Sequence, residues 1–128
     1  MLDIEKIKDY LKTIIDIPNW YCGTIDKNQE KAIGIYDNIR VLSKISQYNN
    51  LQTYTITPFT LLIRYTQNYI KANKKAYEIY NLLKTQQELE IDNKTYFIKL
   101  IDENPQNTGS DDKGIYEFVI DFDLIGGK

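Results

Sequence analysis

The segment from Ile115 to Leu124 alternates apolar and acidic side chains with a period of two residues. The apolar set is Tyr116, Phe118, Ile120, Phe122 and Leu124, and the acidic set is Glu117, Asp121 and Asp123. Because successive side chains of a β-strand point to opposite faces, this pattern predicts a strand with one buried face and one presented face. The three carboxylates on the presented face are compatible with a metal site, a solvated surface or the wall of a passage.

The residues before this strand, Asp102 to Gly114, read DENPQNTGSDDKG and predict a polar loop. The loop is similar to a calcium-binding loop only in its polarity. Its glycine and its closing glutamate fall at the wrong positions for the spacing that such a loop requires, so a calcium site is excluded.

The rest of the chain predicts two main helices and several short strands. Helices are expected over 3–15, with Asp3 as the cap, and over 69–84, with Asn68 as the cap. Strands are expected over 20–25, 31–36, 59–66, 89–91 and 95–101, and the last two form a hairpin through Asp92-Asn93. Residues 37–58 are expected to form a long excursion with some strand near 53–56, and 126–128 a frayed end.

This order of elements predicts an α+β fold. We expect an antiparallel or mixed sheet of about four to six strands with two main helices packed on one face. At 128 residues, the chain fits a single domain spanning 1–128, because either half alone would be too small to bury a useful core.

Composition excludes several classes of function. The chain has no histidine and one cysteine, Cys22, so it lacks the parts of a serine triad, a Cys–His pair or a common zinc site. We expect Cys22 to be a small buried residue. A net charge of −2 gives no general attraction to nucleic acid, and no apolar run is long enough for a membrane helix. The N-terminal residues lack the apolar centre of a signal peptide, which predicts a cytoplasmic protein.

Two charged groups remain as candidate sites. Glu117, Asp121 and Asp123, with Lys99 on the neighbouring strand, could serve a metal-dependent nuclease or a nucleic-acid-binding module. The second predicted helix carries a basic face, which indicates a solvated surface or contact with an acidic partner. That basic face consists of Lys71, Lys74, Lys75 and Lys84.

Four segments occur in an order that resembles the minor capsid or tail terminator family of long-tailed phages and prophages of Gram-positive bacteria. They are Lys31-Ala-Ile-Gly-Ile-Tyr36, Leu62-Ile-Arg-Tyr65, Ala76-Tyr-Glu-Ile-Tyr80-x-x-Leu83, and Pro105-x-x-x-Gly109-x-Asp111-x-x-Gly114-Ile-Tyr116-x-x-x-Ile120-x-Phe122. The resemblance covers nearly the whole chain, with residues 37–58 the least similar part.

The resemblance implies a structural protein of the virion, assembled in the cytoplasm of the host bacterium, with no catalysis and no cofactor. Such a protein forms a ring, expected to be a hexamer, that stops polymerisation of the tail tube and provides the docking face for the head. The implied partners are further copies of itself, the tail tube protein, a head-completion or connector protein, and genomic DNA that passes without specific binding.

Two surfaces are candidates for these roles. Glu117, Asp121 and Asp123 are expected to face the lumen of the ring or an interface, where carboxylates would repel DNA phosphates. Asn107, Asp111 and Asp112 are expected to form an interface loop. We also expect 37–58 and 102–114 to become ordered on assembly.

Overall fold

A computed structural model describes residues 3–23, 30–37 and 54–127 of the chain. In these residues the chain forms two helices and seven strands. The elements are α1 (Ile4–Ile14), β1 (Asn19–Cys22), β2 (Ala32–Asp37), β3 (Tyr54–Arg64), α2 (Tyr69–Gln86), β4 (Glu88–Ile91), β5 (Lys94–Leu100), β6 (Gln106–Ser110) and β7 (Tyr116–Gly127). The predicted α+β class is confirmed, and the sheet has more strands than expected.

The sheet is mixed and is organised around β3 and β7. Its strands lie in the order β1-β2-β3-β7-β5-β4, and β6 also pairs with β7. Strands β1 and β2 are parallel, whereas every other pair is antiparallel. β3 pairs with β7 along its whole length, from Tyr54 opposite Gly127 to Arg64 opposite Glu117. The other edge of β7 is shared by β5 and β6, so β7 is the central strand.

One face of the sheet is buried against both helices, as the alternation in β7 predicts. Phe118, Ile120, Phe122 and Leu124 are each at most 2% exposed. They belong to one hydrophobic cluster with Ile7 and Leu11 of α1, and with further residues of α2. The two helix predictions are confirmed, including the caps: Asp3 accepts a hydrogen bond from the backbone N–H of Glu5, and Asn68 one from Lys71.

The hairpin between β4 and β5 forms as predicted. Asp92 and Asn93 both have positive φ, 55° and 64°, which a two-residue turn matched to the twist of the strands requires. The tip is also joined to α1, because the Lys6 ammonium lies 2.5 Å from the Asp92 carboxylate.

Other boundary predictions are corrected. The strand expected near 53–56 within the excursion is confirmed for 54–56, but it continues through 57–58 as the first part of β3, while 38–53 lie outside the described residues. The polar loop predicted over 102–114 contains a strand, β6, because β7 offers it an edge to pair with. The predicted frayed end is wrong for Gly126, which is buried in β7 opposite Tyr96.

Cys22 is also corrected: it is exposed at the end of β1. The strand predicted over 20–25 is shorter in the structure, where β1 ends at Cys22, and residues 24–29 lie outside the described residues. No described helix is long and apolar enough to cross a membrane.

Candidate functional site

Arg64, the last residue of β3, is a buried cation on the sheet face that turns away from the helices. Its side chain is 1% exposed, although neighbouring positions on that face are half-buried. The guanidinium pairs with the carboxylate of Asp111, and its Nη1 lies 3.6 Å from Oε2 of Glu117. Glu117 stands directly opposite Arg64 in the β3–β7 register. We refer to Arg64, Asp111 and Glu117 as the Arg64 cluster.

A buried guanidinium is costly unless its charge and its donors are matched by acceptors. Arginine suits this position because its planar fork of N–H donors can engage two carboxylates at once and stays protonated when buried. The Arg64 cluster therefore fixes the end of β3 against two parts of the chain, the start of β7 and the turn that precedes it.

Asp111 organises that turn with its other carboxylate oxygen. Its Oδ1 accepts hydrogen bonds from the backbone N–H groups of Lys113, at 2.9 Å, and Ile115, at 3.0 Å. The backbone carbonyl of Asp111 accepts from Gly114 at 2.9 Å, and Gly114 has a φ of +79°, in the region that favours glycine. A short aspartate side chain that bonds its own backbone in this way is a common means of fixing a turn.

These contacts set the protonation of Asp111. Its partial burial acts to raise the pKa of the carboxyl. The hydrogen bonds from Arg64 and from the amides of Ile115 and Lys113, with the guanidinium charge, outweigh that effect and hold the pKa of Asp111 below its ordinary value. Asp111 is therefore ionised wherever the turn is formed near neutral pH.

A second set of bonds joins this turn to the start of α2. Gln67 donates from its Nε2 to the carbonyl of Lys113 at 2.6 Å, and the N–H of Tyr116 donates to the carbonyl of Thr66 at 3.0 Å. The 111–114 turn, the end of β3 and the start of α2 thus form one connected end of the molecule. We call it the turn end.

The three predicted carboxylates of β7 lie on one face, as the alternation indicates, but their surroundings differ. Glu117 lies in the Arg64 cluster. Asp121 accepts a hydrogen bond from the Thr60 hydroxyl at 2.6 Å. Asp123 is 7% exposed and stands opposite Lys99 in the β5–β7 register.

This arrangement does not favour the metal-dependent alternative. Glu117 and Asp121 are four residues apart, which at about 3.3 Å per residue separates them by about 13 Å along the strand. Oxygen ligands of one Ca²⁺ or Mg²⁺ ion all lie about 2.0–2.6 Å from it, so these two carboxylates do not share an ion. No group of three or more side chains suited to hold a metal is found among residues 3–23, 30–37 and 54–127.

The predicted interface residues are arranged on one hairpin. Asn107 lies in β6, where its Oδ1 accepts from the N–H of Gly109 across a bulge. Asp112 is exposed at the tip of the 111–114 turn, whereas Asp111 points inward to Arg64. The sequence analysis does not identify the role of Arg64. An arginine at the end of a largely apolar strand is nevertheless a signal for a buried ion pair.

The turn end also exposes apolar side chains. Ile70 is 68% exposed and Tyr69 is 45% exposed, although the Tyr69 ring makes an edge-on contact with Tyr116 at 5.2 Å between centroids. Exposed apolar residues beside a rigid turn are typical of a surface that contacts another protein.

A search of curated proteins finds no significant match. The profile of the family described as "Bacteriophage tail terminator protein" matches residues 3–126, which include every member of the Arg64 cluster. The match extends over nearly the whole chain, and we conclude that this protein belongs to the bacteriophage tail terminator family.

Proposed function

We propose that this protein forms a ring on the finished end of the phage tail tube, where it stops the addition of tube subunits and offers the head a docking face. The observation that carries the proposal is the family match over residues 3–126. The turn end supports it, since it provides a rigid surface made from distant parts of the chain.

The proposed ring is a homo-oligomer, a hexamer, whose subunits meet through two different patches. Heterologous contacts of this kind close into a ring when the rotation between neighbours divides a full turn. The 111–114 turn with Asp112, Asn107 on β6, and the exposed Ile70 supply one patch. The tail tube protein on one side of the ring and a head-completion or connector protein on the other are the proposed partners.

We further propose that the β7 face carrying Glu117, Asp121 and Asp123 lines the lumen. The Arg64 cluster holds two carboxylates and one guanidinium and so keeps a net negative charge, and Asp121 and Asp123 add acidic side chains to the same face, which would repel DNA phosphates. Genomic DNA would pass this wall without specific binding. A ring structure with Asp121 on the outer circumference would contradict this part of the proposal.

The proposed role needs no catalysis, since it consists of covering a growing end. The second candidate, a metal-dependent nuclease using Glu117, Asp121 and Asp123, is not favoured because the strand spacing keeps Glu117 away from the other two. The proposed location is the virion, at the head–tail junction.

Tube growth measured with purified tail tube protein tests the proposal. Added at far less than one subunit per tube subunit, the wild-type chain should shorten the tubes and appear only at their ends. The variant Ile70→Asp should lose this effect, while the matched control Ile101→Asp, at a 40% exposed site on the β5 side, should keep it. Tubes that grow to the same length with and without the wild-type chain would contradict the proposal.

A further inference from the structure

A cleft of about 250 Å³ lies at the turn end and is lined by three lysines. Among the described residues, a carboxylate neutralises one of these lysines and leaves the other two unpaired. Tyr65, Lys71, Lys74, Lys75 and Glu78 line it. Lys75 pairs with Glu78 at 2.6 Å, whereas Lys71 and Lys74 form no ion pair within the part of the chain that the structure describes.

A lysine from another element lies against the Tyr65 ring that lines the cleft, and it forms no ion pair within the described residues. Lys31, which precedes β2, lies with its ammonium 5.6 Å from the centre of the Tyr65 ring. Its backbone has a φ of 53° and its N–H donates to the carbonyl of Tyr65 at 2.9 Å, so the sheet fixes its position. We call Lys31, Tyr65, Lys71 and Lys74 the basic cleft.

The opposite end of the molecule carries the opposite charge. Asp9 of α1 and Glu88 and Glu90 of β4 are exposed around the Tyr10 ring, and within the described residues none of the three forms an ion pair. We call these three carboxylates the acidic edge. The neighbouring Asp92 is already paired with Lys6.

Strand register places the two patches far apart. The backbone N–H of Tyr65 donates a hydrogen bond to the carbonyl of Tyr116 at the start of β7. In contrast, β4 pairs with the part of β5 that lies beside Ile125 and Gly126, at the end of β7. Ten residues of strand separate these points by about 33 Å. Along α2, Lys74 is the cleft residue nearest to β4, and its twelve residues to Gln86 still span about 18 Å, so the basic cleft cannot reach its own acidic edge but can reach that of a neighbour.

We propose that the basic cleft of one subunit receives the acidic edge of a second copy of this chain, and that this pairing orients neighbouring subunits. The inference rests on the proposed ring and names the two patches that meet in it. The two patches have complementary charge: each gathers three like charges, and the contact relieves the repulsion within both. The two patches differ, as a heterologous contact requires.

Charge reversal tests the pairing. The variant Lys71→Glu/Lys74→Glu and the variant Glu88→Lys/Glu90→Lys should each assemble more weakly than the wild type, with an apparent dissociation constant raised at least about tenfold. Native mass spectrometry at low salt measures assembly, alone and with tail tube protein. The single variants Lys74→Glu and Lys84→Glu are a matched pair on α2, and only Lys74→Glu should weaken assembly, because Lys84 lies outside the cleft.

The decisive experiment is whether combining the two charge reversals restores assembly. An equal mixture of the two double variants should assemble into rings that alternate between them, and the quadruple variant should assemble by itself. A quadruple variant no better than the double variants, or double variants that assemble normally, would overturn the inference and leave the proposed function standing. Loss of duplex DNA binding in Lys71→Glu/Lys74→Glu with unchanged assembly would overturn it in favour of nucleic acid. A wild-type chain that stays monomeric both alone and with tube protein would contradict the proposed function itself.

Discussion

Arg64 and Asp111 form a buried ion pair across 47 residues of chain, which ties the end of β3 to the turn that leads into β7. The two residues belong to two of the four segments that carry the family resemblance, Leu62–Tyr65 and Pro105–Phe122. The ion pair therefore joins these two segments to each other in the turn end.

Removal of the cation should destabilise the protein. We expect Arg64→Met to lower the free energy of unfolding by about 3 kcal/mol, because Asp111 and Glu117 lose their counter-charge while remaining largely covered. Urea denaturation measures this change. Lys94→Met, at the exposed start of β5 opposite Ile91, serves as the control and should change stability by less than about 0.5 kcal/mol. Equal stability of the two variants would contradict the role assigned to Arg64.

The two carboxylates of the cluster should not be equivalent. Asp111→Asn should lower the thermal midpoint more than Glu117→Gln, since Asp111 also accepts the amides of Lys113 and Ile115, whereas Glu117 lies 3.6 Å from the guanidinium. Differential scanning calorimetry of both variants gives the order. The reverse order would show that the turn is held by other contacts.

Asp111 should also make the stability depend on pH. Its pKa is lower in the folded protein than in the unfolded chain, so its contribution is fully present above the unfolded pKa and is lost as the pH falls through the folded pKa. The wild type should therefore lose stability below about pH 4 more steeply than Asp111→Asn, whose side chain does not titrate. Parallel pH profiles for the two proteins would argue against the depressed pKa.

Any side chain at position 126 should lower the stability of the folded protein. A Cβ at this position would lie 2.5 Å from the Tyr96 ring, so Gly126→Ala should cost about 1–3 kcal/mol. In a Tyr96→Ala background the same substitution should cost much less, and a double-mutant cycle isolates this coupling. Additive effects of the two changes would show that the ring is free to move aside.

The protein should not cleave DNA. With Mg²⁺ or Mn²⁺ present, the wild type and the variant Asp121→Ala/Asp123→Ala should leave duplex and single-stranded substrates equally intact, because Glu117 stands too far from the other carboxylates to share an ion. Cleavage by the wild type that disappears in the variant would reinstate the nuclease alternative.

The elements that sequence patterns predict well are those with strong local signals. The alternation in β7 predicts which side of the strand is buried, and Asp3 and Asn68 mark the starts of both helices because their side chains satisfy free backbone N–H groups. The hairpin at Asp92-Asn93 is likewise encoded by two residues that tolerate positive φ.

The elements that sequence patterns miss depend on distant partners. The composition of β6 is that of a loop. The segment forms a strand because the backbone of β7 is available for pairing on its second edge. The three carboxylates of β7 lie on one face as the alternation predicts, but Glu117 shares the buried cation Arg64 with Asp111, and the local pattern around Glu117 contains no sign of that cation. Arg64 is one of two arginines among 16 basic residues. In a chain that otherwise uses lysine, an arginine indicates a site that requires the planar guanidinium group.

The length of tails in phage particles made without this polypeptide tests the central claim most directly. Electron microscopy of such particles should show tails of variable and excessive length that are not joined to filled heads, and supply of the wild-type chain in trans should restore uniform tails. Tails of normal, uniform length attached to filled heads in the absence of the polypeptide would contradict the account.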